Sequence, residues 1–309
     1  MKAVYIEDYG GPEALKFGEQ PAPQPGPREV LVAVHAASVN PIDWKLQAGL
    51  VRQFFPLNFP CVLGRDFSGV VAALGSDVRG LAVGDEVFGM ADARRGGTHA
   101  EFAAIDGEAL ARKPRSLSHV DAASLPLAGL TALIALDEVA GLRSGQRVLI
   151  HAAAGGVGGL AVQLAKHRGC WVAGTCGAAN ANYVTRLGAD RVIDYASQDF
   201  TSALRDLDVV FDTVGGEVNR RSATVLRAGG CLVQITAAPV PPGPPRADIE
   251  IKPAVIRPRR DLLERLADLA SRGVLKPHVE AVLPLSEAAR GYAQSRTGHQ
   301  RGKIILRVV

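Results

Sequence analysis

Residues 147 to 159 read Arg-Val-Leu-Ile-His-Ala-Ala-Ala-Gly-Gly-Val-Gly-Gly, an apolar run of strand character that opens into a glycine turn, and an apolar-periodic helix follows from Leu160 to Lys166. The chemistry such a turn can do is to hold a pyrophosphate. A G-x-G-x-x-G spacing gives a tight first turn, a bare backbone under the phosphates and close helix–strand contact at the last glycine. Here Ala153 stands first, and Gly155 and Gly158 take the other two places. A helix beginning near Gly156 aims unpaired N–H groups and the positive end of its dipole at the anion. Ala154, Gly155, Gly156, Val157 and Gly158 are therefore the expected cofactor contacts in the turn. The spacing alone is a weak signal. Its place after a strand and before a helix, ahead of further alternating strands and helices, is what makes it a dinucleotide site rather than a structural glycine turn.

An absence then selects the dinucleotide. The second strand, Cys170-Trp-Val-Ala-Gly-Thr-Cys176, ends without a carboxylate, and no Asp or Glu occurs from Gly159 to Ala189. A site for NAD usually offers an acid there to the ribose 2′-hydroxyl, and that acid would repel a 2′-phosphate, so NADPH is the expected cofactor. Basic ligands are missing as well, since no Arg or Lys lies from Thr175 to Asn182. The phosphate is left to Thr175, Asn180, Tyr195 and backbone amides beside Cys176, with Val214 and Thr236, at the next strand ends, completing the expected contacts.

The elements around this turn divide in two. At 309 residues the chain is long enough for two domains with full cores. The first 120 residues carry short strands between Pro and Gly punctuation, at Lys2–Ile6, Val30–Ala36, Val70–Leu74, Glu86–Gly89 and Ala100–Ala104, as in an all-β, partly barrel-like domain. From Asp121 the texture changes to helix and then to the alternation of a parallel sheet. Its strands are expected at Arg147–His151, Cys170–Thr175, Arg191–Ile193, Asp208–Asp212 and Cys231–Thr236. Residues 237 to 246 hold five prolines and must be a loop, either a plain connector or a border of the substrate. A short strand (Ile249–Ile256), two helices (Arg259–Arg272 and Ser286–Arg296) and a closing strand (Lys303–Val309) finish the chain.

Composition removes several function classes. Hydrophobic residues at 47% and charged ones at 21% mark an ordinary globular protein, no run of eighteen apolar residues could span a membrane, and the first residues lack the apolar core of a secretory leader, so a cytoplasmic address is expected. The net charge of +4 is spread along the chain; its one tight cluster, Arg257-Pro-Arg-Arg260, has no interleaved aromatics and reads as a solvated loop rather than a nucleic-acid site. Cys61, Cys170, Cys176 and Cys231 form no C-x-x-C pair, and none of the seven histidines has a partner at ligand spacing, so neither a disulfide framework nor a metal is expected.

Taken together the segments resemble the medium-chain dehydrogenase/reductase superfamily along nearly the whole chain. The resemblance rests on ordered motifs: Ala37-Ser-Val-Asn-Pro-Ile-Asp-Trp-Lys45, Leu63-Gly-Arg-Asp-Phe-Ser-Gly-Val-Val71, Val83-Gly-Asp-Glu-Val-Phe-Gly89, Gly97-Thr-His-Ala-Glu-Phe102, Ala122-Ala-Ser-Leu-Pro-Leu-Ala-Gly-Leu-Thr-Ala132, Leu187-Gly-Ala-Asp190 and Gly298-His-Gln-Arg-Gly-Lys303. The nearest branch is that of quinone oxidoreductases and alkenal or enone reductases. It implies an α/β chain with a GroES-like catalytic domain (1–123), an inserted doubly wound Rossmann domain binding NADPH (124–257) and a C-terminal part (258–309) that completes the catalytic domain.

The contrast with the zinc alcohol dehydrogenases of that superfamily sharpens the expectation. They place a Cys where Asn40 stands and Gly-His-Glu where this chain has Gly64-Arg65-Asp66, and the lobe with four structural cysteines is missing. Arg cannot ligate zinc. Without a Lewis acid, alcohol oxidation is disfavoured, whereas a quinone or conjugated enone accepts hydride with hydrogen-bond help alone. The resemblance offers Asn40 as the family's Asn near the cofactor and Lys45 as the donor to the acceptor's carbonyl, with Asp43 orienting backbone or Lys45. Thr131 resembles the Thr near the nicotinamide. Lys45 as an ordinary surface lysine, and Thr131 bonding back to its own helical turn, are the plainer alternatives. The function expected is an NADPH-dependent, zinc-independent reductase of quinones or enones. An enoyl-thioester reductase, or a non-catalytic NADPH-binding sensor or structural protein, stands as the alternative. A homodimer is expected to form through the strand Ile249–Ile256.

Overall fold

The computed structural model describes residues 1–235 and 246–309, so the expected contact Thr236 and the proline-rich stretch 237–245 lie outside the described residues. Packing separates two units, one of Met1–Leu130, Arg257–Gly273 and Pro277–Val309, the other of Thr131–Ile256 and Val274–Lys276.

The first unit opens with β1 (Lys2–Ile6), β2 (Lys16–Glu19) and β3 (Glu29–Val39). In β3 Val30, Val32 and Val34 are buried while the residues between them are partly open, the period of two that a half-covered strand demands; from Ala36 onward both faces are covered. Next come α1 (Pro41–Gln47), β4 (Cys61–Val62), β5 (Asp66–Leu74), β6 (Glu86–Met90), β7 (Phe102–Asp106), β8 (Leu110–Arg112), α2 (His119–Ala123) and α3 (Pro126–Leu133). Pro41 suits the first position of α1, where its missing N–H would have had no helical acceptor.

α3 carries the chain into the second unit and runs on as a π-helical segment, Ile134–Val139. There follow β9 (Arg147–Ile150), α4 (Gly156–His167), β10 (Trp171–Cys176), α5 (Ala181–Arg186), β11 (Arg191–Asp194), α6 (Phe200–Ala203), β12 (Leu207–Asp212), α7 (Glu217–Ser222), β13 (Leu226–Gln234) and β14 (Glu250–Pro253). The six strands pair in parallel in the order β11-β10-β9-β12-β13-β14. Counted within the sheet that is 3-2-1-4-5-6, the Rossmann order, whose reversal beside the first strand opens a crevice at the strands' carboxyl ends. The brief return at Val274–Lys276 is fastened by Gln163 of α4, which accepts from the Lys276 N–H at 2.8 Å and donates to its carbonyl at 3.2 Å.

The chain closes in the first unit with α8 (Arg260–Ser271), β15 (Val279–Pro284), α9 (Ala288–Arg296) and β16 (Lys303–Arg307). β16 lies antiparallel to β3 in a seven-stranded sheet, with Ile304 opposite Val39. That register sets Lys303 beside Asn40. Among the described residues no helix is long and apolar enough to cross a membrane.

Candidate active site

The glycine turn occupies the carboxyl end of β9, at the reversal of strand order. Ala152 leaves the strand with φ +48°, and its carbonyl accepts the Gly155 N–H at 2.9 Å. Gly155 caps α4 with no side chain on the free N–H groups of the first turn, which leaves them and the helix dipole to an anion. A Cβ at Gly158 would stand 2.2 Å from the Ala152 oxygen, and one at Gly174 of β10 would stand 2.7 Å from the Ala153 Cβ. Gly158 is thus required by close approach of backbone, as the spacing predicts, and Gly174 by the side chains of Ala153 and Val184. Ala154 is buried, and Gly155, Gly156 and Val157 are partly open.

The other expected cofactor contacts fall into two groups. Asn180 is half-buried in the turn after β10, and Tyr195 is 56% exposed just beyond β11, its hydroxyl 3.5 Å from the Cβ position of Gly177. Val214, 50% exposed, follows β12, where the Asp212 carboxylate holds the Val214 and Gly215 N–H groups at 2.8 and 3.0 Å. These three can meet a ligand. Thr175 differs: it is buried, its Oγ1 lies 3.0 Å from His151 Nδ1, and the same oxygen takes the Ala152 N–H at 3.3 Å. Its hydroxyl is thus engaged within the protein by His151 and by the Ala152 N–H. Cys176 is also buried, and burial raises its thiol pKa. Thr131 is buried in α3. Asp194, opposite Cys176 in the β10–β11 ladder, brings to this neighbourhood a carboxylate that the stretch 159–189 does not itself contain.

A second cluster lies in the first unit, around Asn40. Asp66 Oδ2 accepts from Ser38 Oγ at 2.7 Å and from Asn40 Nδ2 at 3.0 Å, and Lys303 Nζ stands 3.4 Å away while donating to Asn40 Oδ1. The other Asp66 oxygen accepts the Leu127 N–H at 2.8 Å. Asp66 and Lys303 are both buried, so each charge depends on this complete set of partners. His99 joins from the loop before β7, with Nε2 3.2 Å from the Ser38 carbonyl and Nδ1 3.1 Å from the Tyr292 hydroxyl. Burial holds His99 down to about 4 and pushes Tyr292 well above its ordinary value; it also lowers Lys303, against the pull of Asp66.

Asn40 is therefore tied at both ends of its amide and is not a free donor. Asp43 accepts the Asn40 N–H at 2.7 Å across the first turn of α1 and leaves Oδ1 buried without a partner. Burial lifts its carboxyl to about 7, the Asn40 N–H, Lys303 and Arg65 opposing and Asp66 assisting. The ammonium of Lys45, half-buried on α1, has no hydrogen-bond partner among the described residues and rests over the Trp44 ring, 5.5 Å from the centroid. Its charge is free to meet a ligand. Arg65 donates Nε–H to the Ala91 carbonyl at 3.1 Å.

Lys303, Asp66, Ser38 and His99 escaped the reading of candidate site residues, although each lies in a motif quoted above. The usable signal was a charge at the very start of an apolar strand: Asp66 before Phe67, Lys303 before Ile304-Ile305-Leu306. A charge there is buried with the strand and must be paired.

Comparison with known proteins agrees with this architecture. A family model described as an alcohol dehydrogenase GroES-like domain matches residues 26–115, and one described as a zinc-binding dehydrogenase matches residues 187–306. The chain is 36% identical over 327 residues to a chloroplast envelope quinone oxidoreductase homolog of Arabidopsis thaliana, covering 99% of this chain and 98% of that protein. It is 35% identical over 319 residues to 2-methylene-furan-3-one reductase of Solanum lycopersicum, covering 99% and 79%. The crystal structure of Escherichia coli quinone oxidoreductase complexed with NADPH superimposes with a TM-score of 0.91 at 27% identity over the full length of both chains.

Proposed function

The chain belongs to the medium-chain dehydrogenase/reductase superfamily, in its quinone oxidoreductase branch, and from that premise we propose that it is an NADPH-dependent, zinc-independent reductase of quinones or α,β-unsaturated carbonyls. One observation carries the reading: the uncapped start of α4 at the reversal of a 3-2-1-4-5-6 parallel sheet, with Gly158 pressed against the Ala152 carbonyl. That uncapped helix start fits a pyrophosphate.

When bound, the nicotinamide supplies a hydride. The residues of this chain do the rest. The first-turn amides of α4 hold the pyrophosphate, and Asn180, Tyr195 and Val214 are assigned to the nucleoside end. Lys45 offers its ammonium to the acceptor's carbonyl oxygen as negative charge grows there. Asn40 and Asp43 are positioning residues: the clamp of Asp66 and Lys303 fixes Asn40, and Asp43 ties the Asn40 N–H to the helix that carries Lys45. Zinc does not suit the Asn40 cluster, since Asn40 Oδ1 already takes the Lys303 ammonium and Arg65 is no ligand. NADPH is preferred over NADH by a modest margin, because β10 ends without an acid while Asp194 stands one strand away and no basic side chain is offered from Thr175 to Asn182.

The test is loss of nicotinamide absorbance with NADPH or NADH against a quinone, a short alkenal and an enoyl-CoA. Turnover of the quinone or alkenal with a higher kcat/KM for NADPH is expected. Turnover of the enoyl-CoA alone transfers the protein to thioester chemistry, and consumption of neither cofactor with any acceptor leaves a binding role.

A further inference from the structure

We propose that His151 is a positioning residue for the dinucleotide turn, acting through the Thr175 hydroxyl on the N–H of Ala152, the residue against whose carbonyl α4 begins. The inference rests on the cofactor reading above and deepens it. His151 is 2% exposed at the end of β9, and both ring nitrogens are engaged: Nδ1 with Thr175 Oγ1 at 3.0 Å, Nε2 with Ser222 Oγ at 2.9 Å.

Proton counting fixes the direction of the chain. Ser222 donates its one hydroxyl proton to the Val218 carbonyl at 2.6 Å, so towards His151 it can only accept, and Nε2 must carry the hydrogen. In the neutral ring Nδ1 is then an acceptor, and Thr175 donates to it. Burial keeps the ring neutral, its pKa held down to about 4. With its proton committed, Thr175 Oγ1 presents a lone pair to the Ala152 N–H at 3.3 Å, while the Thr175 carbonyl accepts the Ala153 N–H at 2.8 Å.

The residue so held, with Thr175 bonded to the Ala152 N–H and to the Ala153 N–H after it, is an unusual one. Ala152 has φ +48°, a region that L side chains with a Cβ rarely enter, and a local strain of that kind persists only where neighbours over-determine it. Its carbonyl is the oxygen that accepts from Gly155 and that a Cβ at Gly158 would strike. Rotation about the Ala152 backbone bonds, which the Thr175 contacts on either side of the residue oppose, therefore displaces the Ala152 carbonyl and with it the first turn of α4, whose amides are the proposed anion cradle. Val218 and Ser222 of α7 anchor one end of the relay, and the cradle lies at the other.

The two arms of the ring can be separated with side chains that mimic one nitrogen each. Asn at 151 offers an oxygen near the Nδ1 place, and Gln offers an N–H near the Nε2 place. Affinity for NADPH and NADH is measured by titration of each variant, with melting temperature and steady-state kinetics alongside. His151→Gln is expected to weaken both cofactors by about tenfold, the loss falling on KM for cofactor more than on kcat, whereas His151→Asn retains affinity within about threefold at a comparable loss of melting temperature. Thr175→Val reproduces the His151→Gln loss, and combining the two adds little, as two links of one chain should behave. An equal loss for both cofactors distinguishes positioning from contact with the 2′-phosphate. Variants that melt earlier but bind as the wild type does, or a Thr175→Val that loses NADPH alone, overturn the proposal while the function stands. A wild type that binds neither cofactor overturns both.

Discussion

Asp43 is a residue at which charge and burial disagree. Its carboxyl titrates near 7 in the folded protein and near 3.8 when unfolded, so the native state holds the proton more tightly. Stability is therefore lost as pH rises from about 4 to about 7. His99 runs the other way: held down to about 4 from 6.5, it stays neutral while the unfolded chain gains a proton, and stability is lost as pH falls below about 6.5. Between about 4 and 6.5 these two slopes oppose each other, one proton each, at about 1.4 kcal/mol per pH unit. Asp43→Asn keeps an acceptor for the Asn40 N–H and removes only the carboxylate's slope. Its stability relative to wild type should climb by a few kcal/mol at most between pH 5 and pH 8, read from denaturant unfolding at each pH; a difference that does not change with pH sinks the account. Lys45 gives the chemical counterpart. Removing a charged donor from a developing oxyanion in a dry site costs about a hundred- to a thousandfold. Lys45 is only half-buried, so Lys45→Ala should fall at the lower end with an enone, suffer less with a quinone, and leave cofactor affinity nearly constant. Unchanged enone turnover would return Lys45 to the surface lysines.

At the scale of elements, the two glycines of the turn separate folding from binding. A Cβ at Gly158 would meet three backbone atoms of Ala152 and Ala153 within 3 Å, so the whole start of α4 must shift, whereas a Cβ at Gly155 meets only the Ala152 oxygen at 3.3 Å. Gly158→Ala should lose about 1–3 kcal/mol of stability together with cofactor affinity. Gly155→Ala should melt close to wild type and still bind NADPH at least about tenfold more weakly, because its methyl would stand at the start of α4, where the phosphates are proposed to approach. Calorimetry paired with cofactor titration decides it; equal melting points for the two variants would contradict the geometry. The same elements mark where sequence reading succeeds. β1 and the Rossmann strands are legible because their apolar runs lie between glycine, proline and polar breaks. β13 begins five residues earlier than expected, at Leu226, because Gly229 and Gly230 look like a breaker while the ladder to β12 absorbs them with a register shift. β15 was missed, since most of its residues are partly exposed and it ends on a proline. The Asn40 cluster was legible only in part. Asn40 and Asp43 stand in one local motif, but Lys303 arrives from 263 residues away through the β16–β3 register, which no local pattern encodes. His151 likewise looks like one more residue of an apolar strand until sheet order brings Thr175 and Ser222 to its two nitrogens.

At the scale of the whole molecule, the six-stranded sheet ends on β14, which among the described residues has a neighbour on one side only. The expected strand Ile249–Ile256 is shorter in the structure, Glu250–Pro253, and its two sides are unlike. The Ala254 N–H bonds inward to the Gln234 carbonyl, so by alternation the Lys252 and Glu250 N–H groups also face β13, and Ile251 and Pro253 turn their backbone outward. Pro253 brings no donor to that edge and Glu250 is ion-paired with Lys252 at 2.6 Å, both of which discourage indiscriminate pairing. What remains is a short outward ladder at Ile251 with Val255, 64% exposed, beside it. A second copy arriving across a two-fold axis would satisfy that ladder symmetrically and cover Val255 with its own counterpart. A dimer by light scattering at micromolar concentration is the expected outcome. Ile251→Pro deletes the one outward N–H while leaving the inward ladder to β13 intact, so it should yield a monomer with an unchanged parallel sheet. A wild type that is monomeric under the same conditions, or an Ile251→Pro variant that stays dimeric, places any partner surface elsewhere.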